Sequence, residues 1–266
     1  MSKKLNKLEF DKHYDYEGRL LDENIPFSAL EAYKKLRTNL IFSSGGSKTP
    51  IFAITSYAAK AGKSITSANI AMSFSMIGKK VLLVDADMRL PSIHKIFKYK
   101  APEKGLSTLL ATADDIDSYV LTCPKYENLY ILDAGTVPPN PSELLSLSSV
   151  EKFFAQASEK YDIVIVDMPP VGVVTDAALI APYITGYIVL AQSGFTKKGD
   201  LQEVISTLEK NGGKISGIVL NGISAKSRGY GYKNKKYGYG YDYGYGYGYG
   251  YSQAAAKNKK TDEQNG

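Results

Sequence analysis

Six short apolar runs recur along the chain, at residues 51–55, 81–85, 129–132, 163–167, 187–191 and 215–220. They are rich in Val, Ile and Leu, the composition of strands buried on both faces. Between them, helical spacing of apolar residues occupies 64–77, 142–159, 175–183 and 199–211. This alternation predicts an α/β fold, a mostly parallel β-sheet with helices on both faces, which places ligands at the carboxyl ends of the strands. A chain of 266 residues, 44% of them hydrophobic, can bury such a core as one domain with tails.

Both ends of the chain depart from the pattern. Residues 1–27 are polar and aperiodic, which predicts an N-terminal arm without regular structure. Ser28 and Glu31 have the spacing of a capping box, and Leu30, Tyr33, Leu36, Leu40 and Ile41 recur at helical spacing, so a helix is expected over 28–43. It opens a domain running to residue 225. Beyond Gly222 the chain turns to Gly, Tyr and Lys, and residues 226–266 hold no Val, Leu, Ile or Met with which to build a core, so they are expected to be a disordered tail. The tail carries eight basic and three acidic residues, +5 of the net +6. The remainder is near neutral, which argues against a nucleic-acid-binding face. No apolar run reaches the length of a membrane span and the first residues do not resemble a signal peptide, so the expectation is a cytoplasmic protein. Cys123 has no partner for a disulfide, and with only His13 and His94 no histidine-based triad or metal cluster can be assembled.

The strand at 51–55 is followed by Gly62-Lys63-Ser64 at the start of a helix. That is the context of a P-loop: the stretch Ala58, Ala59, Lys60, Ala61, Gly62, Lys63, Ser64, Ile65 would wrap phosphates with backbone N–H groups. Lys63 would reach the transferring phosphoryl and Ser64 would ligate Mg²⁺. Tyr57 stands where the pattern has its first glycine, and Lys60 lies inside the loop, either obstructing it or adding a cation beside the phosphates. Asp85 and Asp87 leave the end of the strand at 81–85, and Asp167 ends the strand at 163–167. Taken singly, each aspartate has an alternative as a helix N-cap. Three together near a P-loop suit Mg·ATP chemistry, in which the metal neutralises phosphate and a carboxylate orients a hydroxyl. Arg89 has two readings, a phosphate contact or a carboxylate pair.

Together the P-loop, Val84-Asp85-Ala86-Asp87-Met88-Arg89, the strand ending Asp167-Met168-Pro169-Pro170, the stretches 90–95 and 138–145, and the tyrosine cluster resemble the bacterial tyrosine kinases of the capsule and exopolysaccharide family. The resemblance covers roughly residues 28–225 and the tail. It implies a P-loop NTPase-like fold that uses ATP and Mg²⁺. Lys63, Asp85 and Asp87 would be catalytic, with Asp85 as base or orienter, and Ser64, Asp87 and Asp167 would hold the metal. Asn221 would lie near the adenine, and Tyr237, Tyr239, Tyr241, Tyr243, Tyr245, Tyr247, Tyr249 and Tyr251 would be phosphoacceptors. Glu31, Lys34 and Arg37 correspond to a Glu-x-x-Arg-x-x-Arg helix that joins copies into a ring, with Lys34 in place of the first arginine. The implied partners are a membrane-embedded polysaccharide co-polymerase that activates the kinase at the inner face of the plasma membrane, other copies of the chain, and a cognate tyrosine phosphatase.

Three further readings belong to other classes. One is a positioning or partition ATPase, although Ala58 stands where those proteins carry a signature lysine; another is a nucleotide-binding scaffold with a degenerate site. The third takes the tail as an adhesive or RNA-contacting segment. Fusion favours the substrate reading, because a tethered acceptor gains a millimolar effective concentration, although geometry alone leaves transfer in cis or in trans open.

Overall fold

The computed structural model describes residues 6–7, 19–22 and 24–223. The tail 226–266, with its tyrosine cluster, lies outside the described residues, as does the expectation that it is disordered. Strands occupy Asn6–Lys7 (β1), Ile51–Ser56 (β2), Val81–Asp85 (β3), Leu121–Thr122 (β4), Leu129–Leu132 (β5), Ile163–Asp167 (β6), Gly186–Gln192 (β7) and Ile215–Asn221 (β8). Helices occupy Phe27–Ser43 (α1), Lys63–Ser75 (α2), Ile93–Ile96 (α3), Leu106–Thr112 (α4), Pro141–Leu144 (α5), Ser149–Lys160 (α6), Asp176–Leu179 (α7) and Lys198–Lys210 (α8).

The strands form one sheet in the order β1-β4-β5-β3-β6-β2-β7-β8. From β5 to β8 every pairing is parallel, whereas β4 runs antiparallel to β5 and β1 parallel to β4. All residues of β2, β3 and β6 are buried, as expected for strands covered on both faces. Alternate residues feed two cores. Phe52, Ile54, Leu83, Ile165 and Ile188 pack with Leu40, Ile70, Phe74 and Ile93 on one face. On the other, Leu82, Val84, Val166 and Val189 pack with Leu106, Leu110, Phe153 and Leu208. Each fully buried side chain of this size contributes about 1.5–3 kcal/mol. Among the described residues no helix is long and apolar enough to cross a membrane.

Four expectations require correction. β8 is an edge strand rather than one buried on both faces: Ile218 and Leu220 are 49% and 54% exposed. The N-terminal arm is partly built into the fold, since Asn6–Lys7 extend the sheet and Leu20 and Leu21 enter the core. Asn69 on α2 holds this stretch, accepting from Leu21 N at 2.8 Å and donating to Arg19 O at 2.8 Å. The capping box does not form. Pro26 sits at the N-cap with φ −57° and no side-chain cap bond, Ser28 falls inside the first turn, and Glu31 pairs with Lys34 at 2.8 Å. Finally, the helices expected over 142–159 and 175–183 are each broken. Leu145–Ser148 separates α5 from α6, where Ser146 and Ser148 are poor helix-interior residues, and Pro182 falls in a 3₁₀ turn after α7.

Candidate nucleotide and phosphotransfer site

Residues 57–62 join the carboxyl end of β2 to α2. Gly62 has φ 91°, and a Cβ there would lie 2.3 Å from Asn221 Nδ2, so glycine is required both for conformation and for space. Asn221 ends β8 and donates to Ala61 O at 2.9 Å, so it braces the phosphate loop. Lys60 adopts φ 64° with an exposed side chain, a left-handed conformation costing about 1–2 kcal/mol for a residue with a Cβ. Tyr57 lies over the loop that follows β6. Its ring is so close to Gly172 that a Cβ there would be 2.6 Å away, and its carbonyl accepts the Gly172 N–H at 3.1 Å. A tyrosine in place of the first loop glycine thus ties two strand-end loops together.

Lys63, 7% exposed, and Ser64 form the first turn of α2. β3 and β6 are neighbours in a register that pairs Asp85 with Asp167, so the two carboxylates emerge side by side at the same edge, both fully buried. Asp85 Oδ2 accepts the Ser92 and Ile93 N–H groups, each at 2.9 Å. The capping role is therefore real for Asp85, but it occupies one oxygen. Asp167 Oδ1 accepts the Ser67 hydroxyl at 2.9 Å. Asp85 Oδ1 and Asp167 Oδ2 are buried without a hydrogen-bond partner. Such orphaned acceptors are costly in a folded protein, and at a strand edge beside a P-loop they suit a bound cation and a hydroxyl donor. Asp87 Oδ1 accepts Leu90 N at 3.1 Å, and Ser92 donates to Ser64 Oγ at 2.7 Å. Hard oxygen donors from Ser64, Asp87 and Asp167 next to a lysine fit Mg²⁺ carrying phosphate.

Burial is the first cause that raises the pKa of each of these carboxyls. Asp85 stands well above the ordinary range, with Asp167 and Asp133 adding to the rise; Asp87 is raised despite Lys63; Asp167 is pushed up to about 6. A carboxyl whose folded pKa exceeds its unfolded value stabilises the fold while protonated, and that contribution is lost as pH rises through the folded pKa. His94, lowered by burial, acts in the opposite sense, but as one group against several. The ligand-free chain is therefore expected to melt at a higher temperature near pH 5 than near pH 7.5, values set roughly by the window between ordinary and raised carboxyls. Melting curves without Mg²⁺ test this, and a melting temperature that climbs with pH across that window contradicts it.

The sequence reading missed Asp133, buried at the end of β5, although an aspartate closing an apolar run was the signal that had marked Asp85 and Asp167. Arg89 proves to be a carboxylate partner: its Nε and Nη2 donate to Asp176 at 2.9 and 3.0 Å, and Nη2 also donates to Ser142 Oγ at 2.8 Å. The helix residues foreseen as oligomer contacts lie on α1. Arg37 donates to Ser73 O on α2 at 2.5 Å, while Lys34 and Glu31 form an exposed pair.

The AAA domain family matches residues 50–215. Tyrosine-protein kinase CpsD of Streptococcus agalactiae is 36% identical over 194 residues, 73% of this chain and 82% of that protein. Tyrosine-protein kinase YwqD of Bacillus subtilis is 35% identical over 192 residues, 72% of this chain and 80% of that protein. The kinase domain of the Escherichia coli tyrosine kinase ETK superposes with a TM-score of 0.70 at 32% identity, covering 84% of this chain and 87% of that one. The septum site-determining protein MinD of Pyrococcus horikoshii, in complex with Mg-ADP, has a TM-score of 0.56 at 24% identity over 65% of this chain and 70% of that one, a likeness of fold.

Proposed function

Because the chain belongs to the bacterial tyrosine-protein kinases built on the AAA-type P-loop domain, we propose that it transfers the γ-phosphoryl group of ATP to tyrosine, with its own C-terminal tyrosines as acceptors. The observation that carries this reading is the buried, unpartnered Asp85 Oδ1 beside the equally unpartnered Asp167 Oδ2, in adjacent strands next to Lys63 and Ser64. One oxygen suits a metal and the other a hydroxyl proton.

In this reading residues 58–65 cradle the phosphates with backbone N–H groups, and Lys63 neutralises charge developing on the transferred group. Ser64, Asp87 and Asp167 hold Mg²⁺, which when bound offsets phosphate charge. Asp85 Oδ1 accepts the tyrosine hydroxyl proton as the phenolic oxygen bonds to the γ-phosphorus and the bond to the β,γ-bridging oxygen of ADP breaks. Asn221, at the foot of the phosphate loop, lies beside the nucleoside. Tyr237, Tyr239, Tyr241, Tyr243, Tyr245, Tyr247, Tyr249 and Tyr251 supply acceptors at high effective concentration.

Incubation of the full chain with labelled ATP and Mg²⁺, followed by phosphotyrosine detection, tests the reading. A folded chain that labels no tyrosine refutes it. Glu31, Lys34 and Arg37 on α1 are assigned to self-association, and an unchanged mass by light scattering for Glu31→Ala with Lys34→Ala would remove that role. A membrane-embedded activator chain completes the proposal: it brings the kinase from the cytoplasm to the inner face of the membrane, where phosphorylation, opposed by a cognate phosphatase, regulates capsular or exopolysaccharide synthesis. Vesicles carrying the activator that leave the labelling rate unchanged would argue against it.

A further inference from the structure

Asp133 follows β5, the strand next to β3, and is 1% exposed. Its Oδ2 accepts the Tyr99 hydroxyl at 2.8 Å and stands 3.8 Å from His94 Nδ1, while its Oδ1 accepts Gly135 N–H at 3.2 Å. His94 and Tyr99 belong to one short segment, residues 92–99, which α3 folds into a compact turn. Within it Tyr99 N–H donates to His94 O at 3.0 Å, and the two rings meet edge to face at 6.3 Å. The opposite end of the same segment grips Asp85 through the Ser92 and Ile93 amides, each at 2.9 Å from Oδ2.

We infer that Asp133 is a positioning residue for phosphotransfer: through the Tyr99 hydroxyl it locks residues 92–99, and that segment fixes the direction in which Asp85 Oδ1 points. The inference rests on the kinase reading given above. An apolar side chain would fill the same volume without desolvating a carboxylate, so packing alone is a poor reason for an acid here. Hydrogen bonds add direction, which apolar contacts lack, and Asp133 spends one oxygen on the Tyr99 hydroxyl and the other on the Gly135 N–H, while His94 packs beside it with Nδ1 making no hydrogen bond. Asp133 is itself anchored to rigid main chain. Leu106 N–H donates to its carbonyl at 2.8 Å, and the backbones of Gly105 and Gly135 approach so closely that a Cβ on Gly105 would lie 2.3 Å from Asp133 O. The line of constraint therefore runs from the packed end of β5, through the carboxylate, to the turn that holds Asp85.

The test uses the full chain carrying Asp133→Ala, Asp133→Asn or Tyr99→Phe, each also combined with Asp85→Asn. Asp133→Ala is expected to slow tyrosine phosphorylation about 10- to 100-fold while ATP affinity stays within about threefold, since misplacement of a reacting group affects the chemical step more than binding. Asp133→Asn, whose amide can bond both Tyr99 and Gly135, should recover most of the rate. Amide hydrogen exchange should quicken at Ser92 and Ile93 in Asp133→Ala and remain unchanged at Val81–Asp85. In the Asp85→Asn background, Asp133→Ala should cost less than about twofold more, because its effect travels through Asp85. Equal fold losses in both backgrounds, or unchanged exchange at Ser92 and Ile93, overturn the inference. Should Asp133→Ala fail to fold, Tyr99→Phe carries the same comparison. An unsubstituted chain that phosphorylates no tyrosine refutes the kinase reading, and the exchange measurement then decides by itself whether Asp133 holds the segment.

Discussion

Lys63→Met is expected to abolish tyrosine phosphorylation, with a loss of at least about 10²–10³ in rate, the usual cost of removing one group that stabilises transition-state charge. Methionine is unbranched and nearly as long as lysine, so it can follow the same path from the first turn of α2 without opening a cavity in the surrounding shell. That position is 7% exposed, and most of the helix behind it is buried, so the substitution removes a cation while leaving the packing of Ala68, Ile70, Ala71 and Met72 alone. One electrostatic consequence accompanies it. Lys63 holds down the pKa of both Asp87 and Asp167, so its removal lets those carboxyls rise further and weakens the ligand-free fold at neutral pH. Activity and melting temperature should both be measured: phosphotyrosine lost with the fold retained is the expected outcome, and more than about a tenth of the original rate in a folded variant would refute the role given to Lys63.

The parts of the fold most legible in the sequence are strands in the interior of the sheet. β3, β5 and β6 were read with their observed bounds, because a strand inside the sheet, covered on both faces, is apolar at nearly every position. Edge elements gave weaker signals. β1 and β4 are two residues each, too short for any period, and β8 looked like a central strand because its exposed Ile218 and Leu220 are as apolar as buried ones. Leu20 and Leu21 were unreadable for another reason: their partner Asn69 lies 48 residues from Leu21, and no local pattern announces a contact of that range. The site follows the same rule. Lys63, Ser64, Asp85 and Asp167 were visible because strand ends and helix starts are local features. Arg89 could not be assigned, since its carboxylate partner Asp176 is 87 residues away. Asp133 obeys the same local rule as Asp85 and Asp167, an acid closing an apolar run, but its partners Tyr99 and His94 lie more than 30 residues away, so the run alone did not mark it as part of the site.

Asp85→Asn is expected to lower phosphotransfer by about 10²–10⁴, the usual contribution of a positioned proton acceptor, while shifting ATP affinity only about threefold or less. The amide is nearly isosteric with the carboxylate and its oxygen can still take the Ser92 and Ile93 N–H groups, so residues 92–99 keep their place. The NH₂ group then falls where the unpartnered Oδ1 stood, facing the tyrosine hydroxyl with a donor that cannot accept its proton. Stability should move the other way. The charged form of Asp85 is disfavoured by burial first and by Asp167 and Asp133 next, so at neutral pH this carboxylate costs the ligand-free fold free energy that a neutral amide does not. The expected signature is a variant that melts higher near neutral pH, converges with the unsubstituted chain in acid, and transfers little phosphate. A purely structural carboxylate would give the opposite, loss of stability together with loss of activity. If instead ATP affinity collapses in step with turnover, Asp85 serves the metal rather than the hydroxyl, and the proton acceptor must be sought elsewhere at the same strand edge.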